Sequence, residues 1–131
     1  MSTEPTTIPA DPCFTVENVN GHVVVTFTTD ELTHPKELER IGHKLYTLAD
    51  ETLDRAGVSP RLVLNFQNVR YFASQAVGIL LTLNKKLGRG PAFTLCCVGP
   101  ALLQLLRITR LDQVLTIVAT LEEAVGTTEP A

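Results

Sequence analysis

At 131 residues, 44% hydrophobic and 19% charged, the chain has the size of one domain with a proper core and the balance of a globular protein, not a disordered one. A formal net charge of −3, with no basic cluster beyond Lys85–Lys86, lacks the footprint of a nucleic-acid binder. The opening MSTEPTTIPADP has neither the basic head nor the apolar stretch of a signal peptide, and no apolar run reaches bilayer length; a cytoplasmic protein with no nucleic acid and no membrane among its partners is expected.

Residues 1–12, rich in Thr and Pro and without periodicity, read as a flexible tail. CFTVENVNGHVVVTFTT places two β-prone runs around Asn20–Gly21, a dipeptide that accepts the positive φ values of a type I′ turn, so a hairpin is predicted. In HPKELERIGHKLYTLADETLDRAG, Leu38, Ile41, Leu45, Leu48 and Leu53 recur near helical spacing, with Lys36, Glu37, Glu39, Arg40 and Lys44 on the other face. Pro35 suits the first turn of that helix, and Gly57 ends it. RLVLNF (61–66) is a short, almost wholly apolar run of the kind that forms a strand covered on both faces.

A helix is predicted from about Ser74 to Leu87, with Ala76, Leu80, Leu83 and Leu87 on one stripe that Val77 and Leu81 widen. Gly88 supplies its exit, AFTLCCV (92–98) is a further buried strand, and Gly99–Pro100 opens a helix through ALLQLLRITRL whose Arg107 and Arg110 face solvent. LTIVAT (115–120) is the last strand. LEEAV begins a short helix with Glu122 and Glu123 well placed in its first turn. The order β-β-α-β-α-β-α-β-α predicts one α/β domain over 13–126, with short tails at 1–12 and 127–131. Its mixed sheet has four to five strands, an N-terminal hairpin followed by parallel strands, and it carries about four helices.

Catalytic chemistry is not signalled. The three cysteines are an odd count without CxxC spacing, and on a strand the adjacent Cys96 and Cys97 would point to opposite faces as small hydrophobes. His22, His34 and His43 are scattered away from carboxylates or cysteines at ligand spacing. No GxGxxG, P-loop, GxSxG or HExxH pattern occurs. No metal, cofactor or enzymatic activity is expected.

The order of elements, with RLVLNF leading through NVRYF to ASQAVG and with the ending TLCCVGPALLQLLRITRLDQVLTIVATLEEAV, resembles the STAS domain of bacterial anti-sigma factor antagonists over roughly residues 13–126. The ending is the more specific part, since it looks very like the family's: a strand, a Gly/Ser-Pro helix start, a Thr-Gly-Leu near the helix end where this chain has Thr109-Arg110-Leu111, a strand, then Leu-Glu-Glu-Ala. In that family an Asp-Ser-Ser/Thr-Gly-Leu-Gly motif opens the central helix, and its first serine accepts phosphate from a partner anti-sigma kinase. Carried onto this chain, the Asp falls on Ala73, the acceptor on Ser74, the second Ser/Thr on Gln75 and the Gly on Ala76, while Val77–Gly78 keep the Leu-Gly pair.

Two readings of Ser74 follow. It is a helix cap whose oxygen accepts from the N–H of residue 76 or 77, or it is a phosphorylated switch. The resemblance implies binding to an anti-sigma factor or serine kinase-like ATPase, reset by a phosphatase, through Ala73, Ser74, Gln75 and Ala76. The loop TTDELTH, with Asp30, Glu31 and His34, joins that surface. It also implies a monomer or weak dimer. The alternatives are a non-switching scaffold or sensor subunit of a larger complex, and a nucleotide- or anion-binding module.

Overall fold

The element order is β1 (Ile8–Asp11), β2 (Phe14–Val19), β3 (His22–Phe27), β4 (Glu31–Leu32), α1 (Pro35–Leu53), β5 (Leu62–Asn65), β6 (Tyr71–Phe72), α2 (Ser74–Leu87), β7 (Phe93–Cys96), α3 (Pro100–Ile108), β8 (Thr116–Val118) and α4 (Leu121–Val125). The computed structural model describes residues 8–11, 13–19, 21–53, 61–87 and 93–125. Gly57 and Gly88, expected as helix exits, and Asn20 of the hairpin turn lie outside the described residues.

β2 and β3 form the expected antiparallel hairpin, closed by Val19 opposite His22, with Gly21 at φ +82°. From β3 onward the sheet is parallel, and Val24, Val63, Thr94 and Thr116 lie in one row across it. The strand order β1-β2-β3-β5-β7-β8 makes every crossover step the same way. Right-handed crossovers that step one way put their helices on one face, and α1, α2 and α3 share one core cluster there. The α/β class, the hairpin followed by parallel strands and the four helices are as expected.

β1 is additional. Residues 8–11, assigned to the flexible tail by composition, pair antiparallel with β2 at the sheet margin, with a register irregularity between Pro9 and Asp11. Proline lacks an N–H, so it is tolerated on such an outer strand. β4 and β6 form a separate two-residue parallel ribbon, too short for any periodic signal.

The helix-covered face holds Phe14, Phe27, Leu62, Leu64, Phe93 and Leu95 against α1, α2 and α3. α2 buries Ala76, Ile79, Leu80, Leu83 and Leu87, whereas Leu81 is 38% exposed. Ile79, three residues after Ala76 and four before Leu83, widens the stripe in place of Leu81. The opposite face is covered by α4, whose Ala124 and Val125 pack with Val24, Val63 and Cys96. α4 is opened by a capping box in which Glu123 Oε1 accepts the Thr120 N–H at 3.2 Å and Thr120 Oγ1 accepts the Glu123 N–H at 3.2 Å. At its other end the Arg61 guanidinium donates to the Ala124 carbonyl at 2.6 Å, a cation at a helix C-terminus.

The strand expected through Val98 ends at Cys96, because Cys97 turns at φ +58°. The two thiols therefore do not alternate between faces: Cys97, half-buried, packs against the same outer cluster that contains Cys96. Burial, with the adjacent Cys97 and then Glu122 adding to it, pushes the Cys96 thiol up to about 12, leaving it protonated and unreactive. Among the described residues no group of three or more His, Cys, Asp or Glu could hold a metal ion, and no helix is long and apolar enough to cross a membrane.

His22 Nδ1 accepts the Arg61 N–H at 2.9 Å, and burial, then the Arg61 cation, lowers its pKa below the usual histidine value. A depressed pKa means that His22 contributes its stability above about pH 6.5 and loses it as pH falls through the lower folded value. Thermal melts between pH 7.5 and 5 should show this loss in the native chain, and His22→Gln should flatten it.

Arg110, directly after α3, is held at φ +63°, a region that costs a side-chain-bearing residue about 1 kcal/mol. Arg110→Gly should raise unfolding stability by about 0.5–1 kcal/mol in urea titrations.

Candidate functional site

β3 and β5 run parallel as neighbours, so the segments leaving their carboxyl ends emerge side by side. The β4–β6 ribbon joins them: the Arg70 and Tyr71 N–H groups both donate to the Asp30 carbonyl, at 2.8 and 3.0 Å, and the Ala73 N–H donates to Leu32 at 2.9 Å. Leu32 is buried and Phe72 packs on Phe66 with ring centroids 5.8 Å apart, fixing both strands to the core. The loop after β3 thereby shares one surface with the start of α2. On the α1 side, Gln75 Nε2 donates to the Pro35 carbonyl at 3.3 Å, tying the first turns of the two helices together.

The structure brings together most of the residues the sequence singled out. Asp30 and Glu31 are exposed, with Glu31 Oε1 accepting from Thr33 Oγ1 at 3.2 Å. His34 is exposed and its carbonyl accepts the Leu38 N–H at 2.9 Å, beginning α1. Ser74 and Gln75 are exposed, and Ala73 is half-buried. Ala76 differs: at 4% exposure it is part of the core and offers no surface to a partner. A methyl group on the inward stripe of α2 is drawn into the core by the same periodicity that leaves Ser74 and Gln75 outside.

Ser74 is the first helical residue of α2, and the residue before it, Ala73, accepts the Ala76 N–H at 2.9 Å through its own carbonyl. The capping hydrogen bond expected from Ser74 to residue 76 or 77 is not made; among the described residues its hydroxyl has no hydrogen-bond partner. No acidic side chain stands in the first turn of α2, so its N-terminal partial positive charge is uncompensated from within the helix.

Sequence reasoning missed three features. Tyr71 stands 58% exposed on β6, beside Arg70 and three positions before Ser74. A polar hollow of about 610 Å³ opens at the ends of β3 and β5, lined by Thr28, Thr29, Asp30, Gln67, Asn68 and Arg70, with Asn68 Nδ2 held by the Phe27 carbonyl at 2.9 Å. A second groove of about 360 Å³ runs between α1 and α2, lined among others by Glu39, His43, Tyr46, Gln75 and Gly78. The bulk of Tyr71 in so polar a stretch was the signal available for the first; the other two depend on long-range placement.

Gly78 lies inside α2, and a Cβ there would meet nothing within 4 Å, so packing does not demand glycine. Gly78→Ala should therefore raise unfolding stability by about 0.5–1 kcal/mol, the intrinsic helix cost of glycine, as read from urea or thermal titration.

A family model of the STAS domain matches residues 15–124. Among solved structures, the chain is similar to the anti-sigma-factor antagonist (STAS) domain protein from Planctomyces limnophilus, at 21% identity and a TM-score of 0.71, covering 86% of this chain and 93% of that one. An anti-sigma factor antagonist from Mycobacterium paratuberculosis aligns at 22% identity and a TM-score of 0.70, covering 92% and 90%. The antagonist SpoIIAA in its unphosphorylated form aligns at 26% identity and a TM-score of 0.64, covering 86% and 92%. No curated protein matches the sequence. With the helix-backed parallel sheet, the hairpin and the serine-led central helix all in place, the chain belongs to the STAS domain family.

Proposed function

We propose that this STAS domain acts as an anti-sigma factor antagonist, binding an anti-sigma factor or related serine kinase-like ATPase to regulate sigma-factor-dependent transcription, with Ser74 as a phosphorylated switch. The observation that carries this reading is the exposed, unbonded hydroxyl of Ser74 in the first turn of α2, beside the loop bearing Asp30, Glu31 and His34. The domain itself performs no catalysis. A partner kinase passes the γ-phosphoryl of ATP to Ser74 Oγ, the hydroxyl proton leaves and ADP is released; a phosphatase hydrolyses the ester. The working compartment is the cytoplasm, and Ala73, Ser74 and Gln75 with Asp30, Glu31 and His34 form the contact surface.

A dianion at this place is tolerated by the fold because unpaired N–H groups and the helix dipole meet it. It alters the interface instead, adding charge and bulk where the partner docks. One observation favours a second reading, a constitutive STAS binder or scaffold subunit: Ala73 stands where the family motif has Asp, so a kinase that reads that acid meets a methyl group.

Incubation with the cognate anti-sigma kinase and ATP, followed by mass spectrometry, should place phosphate on Ser74. Ser74→Ala should retain partner binding, and Ser74→Asp should weaken it by about tenfold or more, the scale of a like-charge or steric conflict at an interface. Asp at this position suits the helix dipole by about 0.3–1 kcal/mol, so the melting temperature of Ser74→Asp should not fall. Equal recovery of the same partners by wild type, Ser74→Ala and Ser74→Asp, with no phosphate on Ser74, would replace the switch by the constitutive binder.

A further inference from the structure

Cys96 and Cys97 stand next to each other where β7 ends, and the backbone turns at the second of them. Cys97 takes φ +58°, outside the extended range that would send adjacent side chains to opposite faces. Both therefore join one cluster on the α4-covered face, with Val24, Val63, Leu121 and Ala124, and a hydrogen bond joins the two thiols. Both are free thiols; Cys96 is buried and Cys97 half-buried, so one sulfur is within reach of solvent and the other lies behind it.

Two sulfurs in contact can be joined directly or through a third atom, and the geometry favours the second. Neighbouring Cα atoms are about 3.8 Å apart across a trans peptide, short of the roughly 4.4 Å at which ordinary disulfides begin. Disulfide formation also needs a thiolate to attack, whereas burial, then Cys97 and Glu122, keeps the Cys96 thiol protonated at neutral pH. An atom inserted between the sulfurs relieves the short span, and one that carries its own hydroxides supplies the base that Cys96 lacks. Among the described residues no group of three or more His, Cys, Asp or Glu could hold a metal, so an ion that demands four ligands finds too few here. A linear two-coordinate ion would push contacting sulfurs apart, while a pyramidal centre accepts them close together. The Glu122 carboxylate, which acts on the Cys96 thiol, disfavours an anion and admits a neutral ligand.

We propose that Cys96 and Cys97 form a dithiol site for a neutral trivalent arsenical, which bridges the two sulfurs. A monosubstituted arsenical, R–As(OH)2, gains two As–S bonds and loses two As–OH bonds. The thiol protons leave with the hydroxides as two waters, and arsenic stays trivalent. Cys97, the more accessible thiol, bonds first, and Cys96 closes the ring beneath α4. The site lies on the sheet face away from α2, and the inference does not rest on the Ser74 switch.

Phenylarsine oxide, titrated into the reduced full chain and followed by native mass spectrometry, tests this. One arsenical per chain should bind with the circular dichroism spectrum unchanged. The adduct should hold against excess monothiol, come off with a dithiol chelator, and protect Cys96 and Cys97 together from alkylation. Losing either thiol removes the second, intramolecular bond, so Cys97→Ser and Cys96→Ala should each raise the dissociation constant by about 10²–10⁴-fold. Cys13, in the other core cluster beside Arg40, is the control, and Cys13→Ala should bind as wild type does. Cys96 is fully buried, and if Cys96→Ala fails to fold, the comparison with Cys97→Ser decides alone. Wild type binding no tighter than Cys97→Ser overturns the proposal, as does an adduct that maps to Cys13 or that forms only in urea.

Discussion

The contact between Phe66 and Phe72 is what turns a sheet with helices on it into a surface with a purpose. A two-residue parallel ribbon has no stability of its own; a few backbone hydrogen bonds exposed to water contribute little net free energy. β4 and β6 nonetheless hold their register because Phe72 and Leu32 are anchored below them. The anchoring continues inward, since Phe66 packs at a tilt on Phe27 at 5.2 Å and Phe27 meets Phe14 edge-to-face at 6.1 Å, linking the ribbon to β2, β3 and the end of β5. Remove that aromatic chain and the loop carrying Asp30 and Glu31 loses its reason to lie beside Ser74.

Much of this was legible in the sequence because it is written in periodicities. The stripe of α1, the buried runs of β5 and β7 and the Asn-Gly hairpin are local patterns, each with one economical solution. The strand-helix alternation after the hairpin then leaves few topologies open. What escaped notice has no local pattern. β1 pairs through its backbone, the β4–β6 ribbon is shorter than one period, and the positive φ of Cys97 and Arg110 is imposed by neighbours on residues that do not advertise it. The Ser74 site was found by likeness to a motif, not by physics, since a serine at the start of a helix is also what a plain cap looks like.

The geometry of Ser74 bears on the first of those accounts, the cap: among the described residues its hydroxyl makes no hydrogen bond. A capping serine sits one place before the first helical residue and aims its oxygen back at the N–H groups; Ser74 is already helical and, among the described residues, bonds to none. The capping work that Ser74 leaves undone falls to the Ala73 carbonyl and to solvent. The neighbouring departures have different weights: Gln75 ties α2 to α1 while staying exposed, Ala76 is part of the core, and Ala73 and Gln75 are the two that change the surface next to the serine.

The unequal covering of the two sheet faces has a dynamic consequence. Among the described residues three helices back one face, whereas the other carries the five residues of α4, with Thr120 and Glu123 bonded at one end and the Arg61 guanidinium donating at the other. Such a unit is the natural first piece to open below the free energy of global unfolding, baring Val24, Val63 and Cys96 while the inner core stays intact. In the closed molecule the Cys96 thiol is buried, so a reagent reaches it through an opening such as the lifting of α4. This cysteine is thus a built-in clock for the local opening of the fold.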